Sequence, residues 1–540
     1  MAEAKLPPVR STLVDRMVSY FDPVRGRERL RARAQLAIAG QWLGGSTTRT
    51  QTLNWLPYGG SADADMQVDR RVLRQRSRDL SRNNPLGRGA VNNVVTSAVG
   101  TGLSLRSRIN AASVRMTPEQ VQALQRQIEA EFRLWSEDPS MCDAERTLDF
   151  YALQALAFRS ALESGDVLAS LPWIAVGNLP YELKVQLIEA DRVCNKGWAA
   201  DTERLFGGVD HDKYGAPTAY HVLRQHPGGL FPLNYEWDIL PAFGAKTGRR
   251  NVLHLFDKLR PGQARGVPYL SPVIETLRQL GEYTDGELRA ALVSSLFTVF
   301  VKNTGGLGLE PDATGAAGTT TPQTGDLVKL GAGAIVELGQ GDDISTANPG
   351  RPNTAFDGFV LALLKQIGTA LEQPFEVLVK HFNASYSASQ AALLEVWRFY
   401  KGRRAWLAGM FCQPVYEAWL DEAVTKRRIV APGYFDDPAI RAAFVRSEWI
   451  GDAKGSIDPL KEVQAAEKRL ALLLTSFSDE CTAGTGQDFD DVLQRRAVEE
   501  KMIDAVGLHP VLEGARSGVP VDPNSETPTD GGVGGAGGGQ

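Results

Sequence analysis

From Pro268 to about Lys302, apolar side chains recur at Leu270, Ile274, Leu277, Leu280, Leu288, Leu292, Leu296 and Phe300. Steps of three and four predict one amphipathic helix, interrupted only near Gly281–Gly286. At 1.5 Å per residue such a helix runs about 50 Å, long for a globular domain, where about 12 residues is usual. A second run follows Pro352, with Phe356, Phe359, Val360, Leu363, Leu364, Ile367 and Leu371 on one stripe. Between the two lies a Gly/Thr-rich insert, NTGGLGLEPDATGAAGTTTPQTGD, with a short β-like piece after it. Two long helices flanking a small insert is the pattern the rest of the chain must accommodate.

The flanking sequence reads as helices, then strands, then helices. Residues 24–40 read as a basic helix. Asp69 to Gly100 reads as two helices broken at Asn83-Asn84-Pro85. Thr117-Pro118 opens another, with Thr as N-cap and Pro at the first helical position. Its stripe is Val121, Leu124, Ile128, Phe132 and Trp135. A further helix covers roughly Asp149 to Ser164. At Gly165 the period changes. Asp166–Val176 and Tyr181–Ala190 read as strands joined by the hairpin signal Gly177-Asn178-Leu179-Pro180. Ala216–Gln225, Glu236–Phe243 and Asn251–Phe256 continue a mostly antiparallel sheet. A third long helix runs from about Ala388 toward Val424, with Pro414 expected to kink it. Short helices follow at Ile440–Ile450, Asp458–Leu474 and Phe489–Val506. The Gly-rich tail is low-complexity, of the kind expected to be disordered. The fold class is α+β.

Little in the chain points to chemistry. The net charge of -5 does not describe a polycation that coats nucleic acid. Cys142, Cys194, Cys412 and Cys481 lie far apart and read as reduced thiols. The N-terminus reads as no signal peptide, and the longest apolar-rich stretch is too short to span a bilayer. Neither a phosphate-binding G-x-x-x-x-G-K-[ST] nor G-x-S-x-G nor H-E-x-x-H occurs. No metal or cofactor is expected. His221 and His226 read as sheet-edge or turn residues, and His254 as a satisfied core histidine. Acidic pairs such as Glu189 with Asp191, and Asp488 with Asp490, read as caps near turns or helix starts. One basic stretch stands out. Arg70, Arg71, Arg74, Arg76 and Arg78 suit either contacts between subunits or DNA phosphates. With no aromatic interleaving for base stacking, the inter-subunit reading is favoured.

HFNASYSASQ, from His381 to Gln390, poses a separate question. Alternating Ser385, Ser387 and Ser389 beside His381 suit a nucleophile with its base, as in a serine hydrolase or a nuclease. Ser387 with Gln390 also has the spacing of a capping box at a helix start.

Several segments together decide between these. RSRDLSRNNPLGRGAVNNVVTSAVGTGL (76–103), IEADRVCN (188–195), YGAPTAYHVLRQHPG (214–228), VLHLFDKLRPGQARGVPYLSPVI (252–274) and ASYSASQAALLEVWRFY (384–400) occur in one order and spacing. In these segments the chain resembles the lambda-type portal proteins of tailed bacteriophages, from about residue 20 to about 450. The resemblance implies a non-enzymatic portal fold assembled as a ring, usually of twelve copies, at one vertex of the phage head. Double-stranded DNA passes through its channel, without sequence specificity, during packaging and ejection. The large terminase subunit docks outside; major capsid, scaffolding and head-completion proteins are further partners, and no membrane is. The protein would reside in the virion, and in the host cytoplasm during assembly.

The family's parts then map as follows. Residues 1–266 form the N-terminal part of an α/β wing, 267–302 the first stem helix, 303–351 a small α/β clip, and 352–379 the second stem helix. Residues 380–389 form a channel loop, 390–450 the long wing helix and its return, 451–515 a helical crown, and 516–540 the tail. Lys380, His381, Asn383, Ser385 and Tyr386 would face DNA, with Ser387 and Gln390 as a helix cap. DNA must slide, so dense phosphate clamping is counterproductive. The first stem helix, with charges close to balanced, is expected to turn its polar stripe to neighbours or lumen and its apolar stripe to the second.

Overall fold

The computed structural model describes residues 13–29, 50, 52, 54–57, 59–230, 235–295, 299–303, 342–346, 356–382, 386–455 and 458–506. The chain divides into two units, residues 1–65 and 66–540. In the first, helix Leu13–Phe21 is followed by a helical stretch over 23–29, the described part of the basic helix. The Gly-rich tail lies outside the described residues.

The second unit begins with helices Arg70–Asn83 and Pro85–Ala98. The break falls at Asn84, whose Oδ1 accepts from Gly87 N at 2.9 Å, capping the second helix. Helix Pro118–Glu137 starts on a capping box. Gln120 N donates to Thr117 Oγ1, and Thr117 N donates to Gln120 Oε1 at 3.0 Å. Its five-residue stripe is buried as the periodicity predicts. Phe132 meets Trp419 and Phe150 edge-on at 5.1 and 5.7 Å, so this helix and the C-terminal helices share one aromatic core.

The β region is antiparallel throughout its ladders but forms two sheets. In the first, Asp166–Ser170 is central, flanked by Gln186–Glu189 and Val252–Phe256. The second orders Leu205–Phe206, Val209–His211, Pro217–Leu223 and Trp237–Pro241. A separate ladder joins Ser104–Ser107 to Ser447–Ile450. That corrects the short helix expected over Ile440–Ile450. Helix Pro438–Phe444 ends, and the next residues are drawn into pairing with a strand more than 300 residues earlier in the chain.

The first long helix is shorter than its periodicity suggests. It spans Ile274–Ser295, after a 3₁₀ turn at Ser271–Val273. Val299–Asn303 is a strand paired with Asp342–Thr346. The physical reason is composition: Val299-Phe300-Val301 is β-branched and aromatic, which favours a pleated strand over another helical turn. The rest of the insert, 304–341 and 347–351, lies outside the described residues.

The second long helix covers Phe356–Ala370, and a separate turn of helix follows at Phe375–Leu378. Pro374 disfavours a helical Gln373, which separates the two. The third long helix is Tyr386–Leu407. It passes through a π-helical turn, Ala408–Cys412, into helix Gln413–Thr425. Pro414 has no N–H to return four residues, and Gln413 N–H donates five residues back to Ala408 O. The effect of Pro414 thus takes the form of a wider helical turn just before it.

Candidate channel-loop site

The loop grows out of the end of the second long helix. Gln373 N donates to Gly368 O at 2.9 Å, and His381 N donates to Glu376 O at 3.0 Å. Each bond closes a helix end around a left-handed residue, Glu372 at φ 53° and Lys380 at φ 56°. Lys380, His381 and Phe382 are exposed. Asn383 and Ser385 lie outside the described residues. The third long helix begins at Tyr386, so residues 386–389, expected as loop, are helical. Ser387 accordingly stands inside the first turn, two residues past the N-cap position; its side chain is not among those described. Gln390 is half-buried on the same helix.

Behind the loop sits a group of side chains that no motif announced. Gln373 is 1% exposed. Its Nε2 donates to Ala90 O at 2.9 Å and to the Tyr269 hydroxyl at 3.1 Å. Its Oε1 accepts from Asn93 Nδ2 at 3.4 Å, and Asn93 Nδ2 also donates to Val377 O at 3.1 Å. The Tyr269 hydroxyl donates to Leu371 O. Burial pushes that hydroxyl above its ordinary pKa, keeping it a donor. The one sequence signal was Gln373-Pro374, which marks a helix end but not a buried amide.

The two long helices pack unevenly. Near the loop, Leu277, Leu280, Ile367 and Leu371 are buried. Farther out, Tyr283 stacks on Phe356 at 5.5 Å and meets Phe359 edge-on at 5.3 Å. Phe359 is nonetheless 51% exposed, and beyond that contact Leu288 is 61% and Leu292 57% exposed. The apolar stripe therefore packs on the second helix only along part of its length.

The arginine-rich helix turns three of its five singled-out arginines into its own chain. Arg74 is buried. Its Nε donates to Ser164 O at 3.1 Å, Nη1 lies 3.2 Å from Asp191 and Nη2 3.3 Å from Asp166. Arg78 holds Glu189 and Asp191 at 2.7 and 2.6 Å. Arg70 lies over the Phe206 ring at 5.5 Å, and burial lowers its pKa to about 10. Within the chain, Asp166 and Asp191 hold Arg74, Glu189 and Asp191 hold Arg78, and Phe206 lies against Arg70. Arg71 and Arg76 are exposed.

At the centre of this cluster Asp166 is fully buried and pairs with Arg265, which is also fully buried. Arg265 further donates to Ala190 O at 3.0 Å and Val193 O at 2.9 Å. Burial alone would raise Asp166, but Arg265, the His254 hydrogen bond and Arg74 hold it well below the usual carboxylate range. His254 Nε2 lies 3.3 Å from Asp166 Oδ2, a satisfied core histidine as expected. His221 and His226 find different partners. His221 bonds Asp210 at 2.9 Å and accepts from Lys196 N at 3.2 Å. His226 faces Glu189 at 3.4 Å. The structure thus gathers Glu189, Asp191 and His226, a potential cation-ligand set that sequence spacing missed. Arg78 already meets both of its carboxylates.

The family model described as "Phage portal protein, lambda family" matches residues 48–404. Portal protein B of Escherichia phage lambda is 25% identical over 490 residues, 87% of this chain and 91% of that protein. The portal protein of Escherichia phage N15 is 26% identical, over 87% and 92%. Among solved structures, a chain from the neck of a native GTA particle, computed with C12 symmetry, aligns with TM-score 0.41 and 13% identity. It covers 77% of this chain and 92% of that one.

Proposed function

The chain belongs to the lambda family of phage portal proteins, and from that premise we propose that it forms a ring-shaped channel for double-stranded DNA. It is a portal protein of a phage head. The ring, of twelve copies by the family's habit, would sit at one capsid vertex. DNA would enter through it during packaging by the terminase motor and leave through it at ejection. The carrying observation is the family match across residues 48–404, with two portal relatives aligned over more than nine-tenths of their own lengths.

In this reading the two long helices are the stem and 303–351 the clip that the large terminase subunit meets. The wing comprises the helices and sheets before the stem together with residues 390–450. Residues 451–515 form the crown. Major capsid, scaffolding and head-completion proteins meet the assembled ring, in the host cytoplasm during assembly and in the virion afterwards. The protein itself performs no catalysis; the motor supplies the energy. Lys380 and His381 are exposed at the loop root, and two potential cations per copy suit a surface that DNA slides past rather than grips. A head-to-tail contact that closes by rotation covers the outer stem stripe of every copy with its neighbour.

Electron microscopy of the purified protein tests this. Closed rings with a central hole wide enough for a duplex are expected. A compact monomer with no hole, at any protein concentration, would sink the reading.

A further inference from the structure

We infer that Gln373 is the positioning residue of the channel loop, fixing the loop's root. This rests on the reading of the segment after Val379 as a loop beside DNA. Three segments distant in sequence meet at the Gln373 amide. They are helix Pro85–Ala98, Tyr269 ahead of the first long helix, and the end of the second long helix. Both amide hydrogens have acceptors, and the amide oxygen has a donor. The backbone N–H is used as well, on Gly368 O. A side chain at position 368 would put Cβ 2.5 Å from Gln373 O, so the close approach requires glycine there.

The chemistry is narrow. The position needs two donors and one acceptor on one planar group, within reach of Ala90, Asn93 and Tyr269. A glutamine amide supplies that; an ionised glutamate accepts only, and an aliphatic side chain does neither. A fully satisfied buried network is rigid, because each lost bond strands a partner in a dry site. Asn93 extends the same hold to Val377 O, one turn along. The backbone stays bonded as far as His381, whose N–H donates to Glu376 O at 3.0 Å. Past Val379 the backbone enters the left-handed region at Lys380, and the exposed run Lys380, His381, Phe382 begins. The root of the loop is therefore Gln373–His381, and the direction in which the chain leaves it is set by Gln373. A loop with a loosened root would hold packaged DNA less well.

Two readouts on Gln373→Glu test the inference. Hydrogen exchange at the amides of Leu378, Val379 and His381 should quicken by about tenfold, with helix Pro118–Glu137 unchanged and rings still formed. In heads built with the variant, retained DNA should fall relative to the wild type. Unchanged exchange at the loop root overturns the proposal. So does quickening across the whole chain, which would mark a general loss of stability, or undiminished DNA retention despite a loosened root. If the variant does not assemble, Tyr269→Phe keeps the bonds to Ala90 and Asn93 and must show a smaller quickening confined to the same amides; its absence overturns the proposal too. Wild-type protein that forms no ring would instead defeat the portal reading, while the exchange result still judges Gln373 by itself.

Discussion

The aromatic core of the proposed wing and the outer part of the proposed stem differ in how far one chain can satisfy itself. In the wing, Phe132, Trp135, Phe150 and Trp419 are sealed in one aromatic cluster, and even the buried charges Asp166 and Arg265 have partners. In the outer stem, Leu288, Leu292 and Phe359 stand more than half exposed on helices whose inner turns are well packed. Burying an apolar side chain is worth about 1.5–3 kcal/mol, so the exposed stripe is a standing incentive for association. On the proposed reading the difference is a division of labour: the core is satisfied within one chain, and the exposed leucines would be covered by other copies.

Breaking the wing's charge centre gives the largest expected effect. Asp166→Ala leaves Arg265 buried without its carboxylate and should cost about 3–5 kcal/mol in denaturant unfolding. Arg74→Ala should cost less, because Arg265 still pairs with Asp166. An unfolding midpoint unmoved by Asp166→Ala would show that the wing does not depend on this pair.

A pH-dependent effect comes next. Glu129 accepts from Ser107 N at 2.7 Å, and burial raises its pKa to about 7. Its raised value means the native state keeps a proton that the unfolded chain has released. Below about pH 4.3 both states are protonated and nothing is lost. From there to about pH 7 stability falls as pH rises, and above that the penalty is complete. Glu129→Gln should therefore raise stability by about 1–3 kcal/mol at pH 8 and change it little at pH 4. An equal gain at both pH values would assign the effect to packing rather than charge.

The smallest effect sharpens the contrast within one helix. Arg71→Ala and Arg76→Ala, on exposed positions, should each shift stability by no more than about 0.5 kcal/mol. If either matched Arg74→Ala, the division between inward and outward arginines would fail.

Much of the wing was legible from local signals. The Thr117–Gln120 capping box, the Asn84-Pro85 break and the hairpin through Gly177 each depend on residues a few positions apart. The arginines were not legible in the same way. Counting charge from Arg70 to Arg78 suggests an external partner, but Arg74's carboxylates lie 92 and 117 residues further on. Gln373 is a sharper case: its burial depends on Asn93, 280 residues away, and nothing near Pro374 discloses it. The end of the first long helix misled for another reason. Phe300 keeps the apolar period of three or four, and β-branched neighbours override it. At the candidate site, the loop position of Lys380 and His381 came from the family resemblance, and the start of the following helix at Tyr386 was not legible.

The most direct test of this division is the native mass of the wild type beside Leu288→Glu/Leu292→Glu. Both leucines are exposed in the single chain, so the double variant should keep the wild-type unfolding midpoint of the wing. The wild type should run as a closed ring of many chains and the variant as a single chain. Equal masses for the two proteins would contradict the account, because the outer stem would then need no neighbour.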